Sequence, residues 1–349
     1  MTPLQVTRSM ATPLLVETEM KQEPLATRKS HWRASIGTFL LTVSKVVDEA
    51  YSLFDGLREE LVLFLGSDEF MRRYNDYIYG RHTAYSSGEH GFRPPFLWEW
   101  EETAVREFFP PPPARLLVGG AGAGREAIAL AERGYEVTAF ECAPPLLRGM
   151  RDEAQRLGQS IEMYRGRYED LFEEAPGAAS SDPDEEIPQL PLAEALGEFH
   201  GVILGWGSMI HLYHPEDRRR LLQTCGTLCP SGPVLLSFVE AANEARLNPG
   251  VGRSRRYPVW SSGDSAPNSW WQNLRKRMRR RQGRSANDAF WVHYGMGHLY
   301  TRQEIHDLAH EAGFSVVSYQ TIMEAGWDHA VLAPRPSMEA EAPGAESAP

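Results

Sequence analysis

The chain has 349 residues, 42% of them apolar, with nine Trp, which suffices for one large domain or two smaller ones. Its 47 acidic against 36 basic side chains leave a formal net charge of −11, which excludes a protein that binds a polyanion with its whole surface and leaves only local basic patches for such a role. The three cysteines, Cys142, Cys225 and Cys229, form no CxxC pair, so free thiols in a reducing compartment are expected, and no metal site.

In chain order, residues 1–30 lack an apolar period and read as a disordered tail. No apolar run is long enough to span a bilayer, and the signal-peptide pattern is missing, so a cytoplasmic protein is expected. Residues 31–113 read as a helical extension. Leu40, Val43, Val46 and Val47 share one helical face, and Leu53, Leu57, Leu61 and Leu65 follow. Gly66 and Ser67 break the pattern, and Asp68 caps a second helix running to about Tyr79. The loop GRHTAYSSGEHGFRPP precedes a third helix, Leu97–Phe109, which Pro110–Pro113 stop.

From Ala114 the pattern alternates. Strands at Ala114–Val118, Tyr135–Phe140, Ile161–Arg165, Phe199–Leu204 and Pro233–Phe238, the first and fourth of them apolar and buried in character, are separated by helices at Arg125–Arg133, Pro144–Leu157 and Pro215–Leu228. An acidic insertion covers 173–188, and an irregular, Trp-containing insertion covers 240–297. Thr301 and Glu304 form a capping box for the helix Arg302–Ala312. Strands at Phe314–Thr321 and Asp328–Ala333 close the domain, and 335–349 read as a second disordered tail. The expectation is an α/β fold with a Rossmann-like sheet and helices on both faces.

The stretch RLLVGGAGAGREAIALAERGYEVTAFE, Arg115–Glu141, carries the chemistry. Glycines without Cβ let the backbone take positive φ and approach a ligand, and the amides at the following helix N-terminus favour an anionic group. Glu141, ending the next strand, can accept hydrogen bonds from both hydroxyls of a ribose. Turn, helix and acid together point to a nucleoside-containing cofactor. A tight turn with a surface Glu is the competing structural reading.

This stretch, with YRGRYEDL, FHGVILGWGSMIHLYHPEDRRRLLQTCGTLCPSGPVLLSF and YTRQEIHDLAHEAGFSVVSYQ, resembles the class I S-adenosylmethionine-dependent methyltransferases. The resemblance implies a methyltransferase domain over 114–334. Its sheet has seven strands, the last inserted antiparallel, with a lid insertion after strand 5. It implies S-adenosylmethionine as cofactor, bound by Gly120, Ala121, Gly122, Gly124, Glu141 and Cys142. Arg167 and Tyr168 would lie near adenine, and Gly205 and Trp206 near the methionine part. Two positions depart from the family pattern. Val118 stands where many members have an acid, and Arg167 stands where an acid near adenine is frequent, leaving Glu169 or Asp170 for that role.

The expected partner is a small methyl acceptor, aromatic or hydroxylated, modified at oxygen or nitrogen. Tyr77, His82, Tyr85 and Trp98 in the helical extension, and His298 in the lid, are candidate substrate contacts. His211, after the fourth strand, is the candidate general base; the competing reading is a structural imidazole bonded to a loop carbonyl. The signature of nucleic-acid base amine methylation, Asp or Asn-Pro-Pro-aromatic, is absent after the fourth strand, so nucleic acid is disfavoured. The basic run Leu274–Arg284 reads as a solvated face, with an acidic substrate or RNA as alternatives. An RNA methyltransferase and a non-catalytic binding protein on the same fold are the rival readings. Oligomeric state is not legible.

Overall fold

The computed structural model describes residues 28–81, 96–173, 187–241, 277, 285, 287–291, 295–321 and 327–335. Both expected tails outside 28–335, most of both insertions, most of the basic run, and His82 and Tyr85 lie outside the described residues. The chain divides into two units, Met1–Leu53 and Phe54–Pro349.

Five short strands pair in parallel through crossovers, and the inner ones, buried along nearly their whole length, need cover on both faces. The five are β1 (Arg115–Gly119), β2 (Glu136–Glu141), β3 (Ile161–Arg165), β4 (Gly201–Leu204) and β5 (Val234–Phe238). The last two strands, β8 (Phe314–Gln320) and β9 (Asp328–Pro334), complete a seven-stranded sheet of order β3-β2-β1-β4-β5-β9-β8. β9 runs antiparallel to both neighbours, as the family resemblance implied.

Because side chains alternate along a strand, β1 feeds both cores. Leu116 and Val118 pack with Ala127, Leu130 and Leu147 on one face, and Leu117 packs with Leu221, Leu222 and Leu236 on the other. The crossovers α4 (Arg125–Glu132), α5 (Pro144–Arg156) and α7 (Pro215–Leu228) lie where the periodicity predicts. Pro144 and Pro215 begin the last two, where a missing N–H costs nothing. The single turn α6 (Ala193–Leu196), too short to show a period, is new. α8 (Arg302–Glu311) is capped by Thr301, whose Oγ1 accepts from Glu304 N at 3.1 Å.

Ahead of the sheet stand α1 (Arg28–Leu65), α2 (Asp68–Arg81) and α3 (Glu99–Phe108). No helix among the described residues is long and apolar enough to cross a membrane. The segment expected to be irregular, 240–297, contains a buried hairpin of β6 (Asp288–Trp291) and β7 (Gly295–His298). Four-residue strands, one of them Gly-Met-Gly-His, carry no alternation to signal them.

The strand order reverses between β1 and β4. Crossovers leave these neighbours toward opposite faces, opening a crevice at their C-terminal ends. Both the glycine turn and Gly205-Trp206 lie at that point.

Candidate active site

The glycine turn is shaped from beneath. Gly120 has φ +63°, and a Cβ there would stand 2.6 Å from Ser208 Cβ and 2.9 Å from Tyr168 Oη. Tyr168 is buried under the turn, its hydroxyl 2.5 Å from Ser208 Oγ. It supports the turn and is not an open platform. Gly122 differs: its φ is +56°, yet a Cβ there would meet nothing within 4 Å. The backbone conformation demands glycine, while the space beside it stays open for a ligand.

Glu141 ends β2 against this turn. Its Oε2 accepts from Gly122 N at 2.9 Å and its Oε1 from Ala143 N at 2.8 Å. Burial raises its pKa, and the amide bonds oppose that rise. Oε1 also accepts from the Cys142 thiol, while Oε2 keeps a further lone-pair site beside the turn. The Cys142 thiol lies 3.4 Å from Glu141 Oε1, and burial, then the Glu141 charge, push its pKa well up. It remains a neutral S–H.

The crevice is walled by one stripe of α2. His214 Nε2 is 3.0 Å from Asp68 Oδ2, Arg72 lies 3.7 Å from Glu169, and Arg167 Nη2 donates to Asp76 Oδ2 at 2.5 Å. Asn75 Nδ2 donates to Tyr213 Oη at 2.5 Å, and Tyr79 Oη is 2.7 Å from His211 Nε2. Residues 68, 72, 75, 76 and 79 recur at helical spacing, so they face one way. Arg167 is therefore ion-paired to α2, and Asp170 Oδ2 accepts the Arg167 N–H at 2.8 Å, closing its own turn.

At the end of β4 a second cluster is buried. Arg125 makes two 2.6 Å bonds to Glu101 and one of 2.7 Å to Glu126. All three residues are buried, and burial raises the Glu101 pKa, with the Arg125 hydrogen bond opposing. A Cβ on Gly205 would lie 2.6 Å from Glu126 Oε1, so glycine lets that carboxylate reach the crevice floor. Trp98 and Trp206 both flank the guanidinium, 5.7 and 5.8 Å from ring centroid to Arg125 Cζ. Trp206 holds φ +47°, the one positive value among described non-glycine residues, and such strain concentrates at ligand sites.

Two expected substrate contacts are placed differently. Tyr77 is 54% exposed, off the inward stripe of α2; Tyr79 takes the inward position. His298 has no exposed surface. Its Nδ1 lies 2.7 Å from Asp288 Oδ1 and its Nε2 2.9 Å from Glu304 Oε1, and Arg218 Nε is 3.3 Å from Glu304. It fastens the hairpin to α8, so its role is corrected from substrate contact to structural bond.

His211 ends a 3-10 turn that starts at Ser208, the residue touching Gly120. Its Nδ1 is 3.0 Å from Met296 O, so the loop-carbonyl contact of the structural reading exists alongside the Tyr79 contact. Burial lowers its pKa from 6.5 to about 4. The unfolded imidazole takes a proton below about 6.5, the folded one only near 4. The unfolded state therefore binds more protons in that window, and stability falls as pH falls through it. His211→Gln is expected to remove about 2–3 kcal/mol of this acid-induced loss. Urea unfolding of both proteins at several pH values checks this; parallel curves would contradict the assigned shift.

No family model and no curated protein matches the chain. Among solved structures, the chain is similar to the CcbJ methyltransferase of Streptomyces caelestis, with 15% identity over 75% of this chain and 98% of that one, TM-score 0.46. It is also similar to the PH0226 protein of Pyrococcus horikoshii OT3, with 14% identity over 74% and 99%, TM-score 0.45. A third is the magnesium protoporphyrin IX methyltransferase of Synechocystis PCC 6803 with bound SAM, at 13% identity over 63% and 70%, TM-score 0.35. These likenesses carry no statement about activity. By its own strand order the chain has a seven-stranded Rossmann-like sheet, with β9 inserted antiparallel between β5 and β8.

Proposed function

We propose that the protein is an S-adenosylmethionine-dependent methyltransferase acting on oxygen or nitrogen of a small, hydroxylated or aromatic acceptor. One observation carries this reading: the Glu141 carboxylate, pinned by the Gly122 and Ala143 amides, beside an open turn at the strand-order switch point. The residues fit the cofactor. The Glu141 carboxylate at the end of β2 supports ribose-diol binding, and the open space beside Gly122 supports a ligand there. The Glu126 carboxylate under Gly205 lies where the methionine part is expected, with Trp206 beside it.

S-adenosylmethionine supplies a methyl group already activated as a sulfonium. The protein has to align an acceptor, exclude water and hold the acceptor's proton. The α2 stripe and the β6–β7 hairpin shield the crevice, and His211, neutral at physiological pH, is its basic group. The purified protein is expected to bind S-adenosylmethionine or S-adenosylhomocysteine at micromolar level by calorimetry. No heat with either, together with clear binding of a nicotinamide dinucleotide, would overturn the reading. The mass of a product formed from cell extract and isotope-labelled methyl donor would identify the acceptor.

A further inference from the structure

The two ring nitrogens of His211 have different partners, and these decide what the imidazole can do. Met296 O, a pure acceptor, lies 3.0 Å from Nδ1, which favours the tautomer with its hydrogen on Nδ1. In that tautomer the two hydrogens of Asn75 Nδ2, which is also 3.0 Å from Nδ1, go to Tyr213 Oη at 2.5 Å and Met296 O at 3.4 Å. Asn75 Oδ1 accepts from Met296 N at 3.2 Å, so Asn75 holds the hairpin carbonyl in place. Gly295 makes that clasp possible, since a Cβ there would overlap Asn75 Oδ1. Nε2 is then the basic nitrogen, and Tyr79 donates its hydroxyl hydrogen to it at 2.7 Å.

The direct line from Nε2 is therefore taken by Tyr79. The pair lies close to the glycine turn: His211 is three residues along the 3-10 turn from Ser208, roughly 6 Å at 2 Å per residue. Tyr79 follows Asp76, the Arg167 partner, by three residues on α2, about 5 Å along the axis.

We propose that Tyr79 is the catalytic hydroxyl that receives the acceptor's proton, with His211 as the base behind it and Asn75 and the Met296 carbonyl as the groups that position the imidazole. This rests on the methyltransferase reading. As the acceptor oxygen forms its bond to the methyl carbon, the carbon–sulfur bond breaks and its electron pair stays on sulfur. The acceptor O–H proton passes to Tyr79 Oη, and the Tyr79 proton passes to His211 Nε2. Solvent later takes the proton from the imidazolium. A hydroxyl acceptor needs this relay; a thiolate, already ionised, does not.

Two measurements on the full chain test it. In nitrogen-15 NMR, His211 should show protonated Nδ1 and unprotonated Nε2, and Tyr79→Phe should shift the Nε2 resonance. An Nε2–H tautomer overturns the relay, whether or not any acceptor is known. In the second, phenol and thiophenol serve as probe acceptors in mildly alkaline buffer. Tyr79→Phe should lower the phenol rate about 100-fold or more. It should leave thiophenol methylation and S-adenosylhomocysteine affinity within about threefold of wild type. Equal losses on both probes would make Tyr79 structural and overturn the relay, as would an unchanged phenol rate. If wild type methylates neither probe, the NMR result decides. A wild-type protein that binds neither S-adenosylmethionine nor S-adenosylhomocysteine would instead sink the methyltransferase reading itself.

Discussion

Arg125→Leu should destabilise the fold by about 3–5 kcal/mol, the usual cost of removing one partner from a buried ionic cluster. Arg125 holds Glu101 of α3 with two bonds of 2.6 Å and Glu126 with one of 2.7 Å. Glu101 is 2% and Glu126 3% exposed, so without the guanidinium neither carboxylate can recover its hydration. Glu101 would have to take up a proton or let water in, and α3 would lose its bond to the first crossover helix. The leucine also lacks the group that Phe96 O meets at 2.9 Å. Pairing the change with Glu101→Gln should restore part of the loss, because one buried charge disappears with its partner. Urea denaturation followed by circular dichroism measures both; a single variant within about 1 kcal/mol of wild type would show that the cluster is hydrated and dispensable.

Glu141→Ala should weaken S-adenosylhomocysteine binding by about 1–3 kcal/mol, roughly 5- to 150-fold in Kd, through loss of charge-assisted hydrogen bonds to the ribose. The geometry adds a second source of loss. The same carboxylate accepts the Gly122 amide at 2.9 Å and the Ala143 amide at 2.8 Å, so alanine frees both ends of the turn and the bound backbone conformation has to be paid for on binding. Glu141→Gln keeps the side-chain shape but turns an N–H toward one of those amides. It should therefore bind no better than the alanine variant. Calorimetric titration distinguishes these outcomes; unchanged affinity in both variants, with folding intact, would place the cofactor elsewhere.

Periodicity along the chain was sufficient for the α/β class and the order of the sheet's strands and crossover helices. β1 and β4 are apolar runs with no polar alternation, and α4, α5 and α7 carry a helical apolar stripe with Pro or Gly at an end. These signals are local, because each residue's face follows from its position in a repeat of two or of 3.6. The glycine turn and Glu141 were legible for the same reason, being joined by one helix and one strand. The antiparallel last strand came from the family resemblance and not from periodicity.

Pairings between distant segments are of another kind. That Tyr79 rather than Tyr77 meets His211 depends on which face of α2 lies against the sheet, across a separation of 132 residues. Arg125 and Glu101 are 24 residues apart on different helices, and nothing in either helix alone marks them as partners. His298 reads in the sequence as a lid histidine beside aromatics; only the fold brings Asp288 and Glu304 to its two nitrogens. The sequence by itself determined which residues share a face and which turn must be glycine, because sterics and burial act within a few residues. The tertiary structure alone decided which faces meet, and hence which hydroxyl, carboxylate and imidazole share the crevice, because hydrogen bonds and ion pairs are made across space between segments whose local patterns do not encode one another.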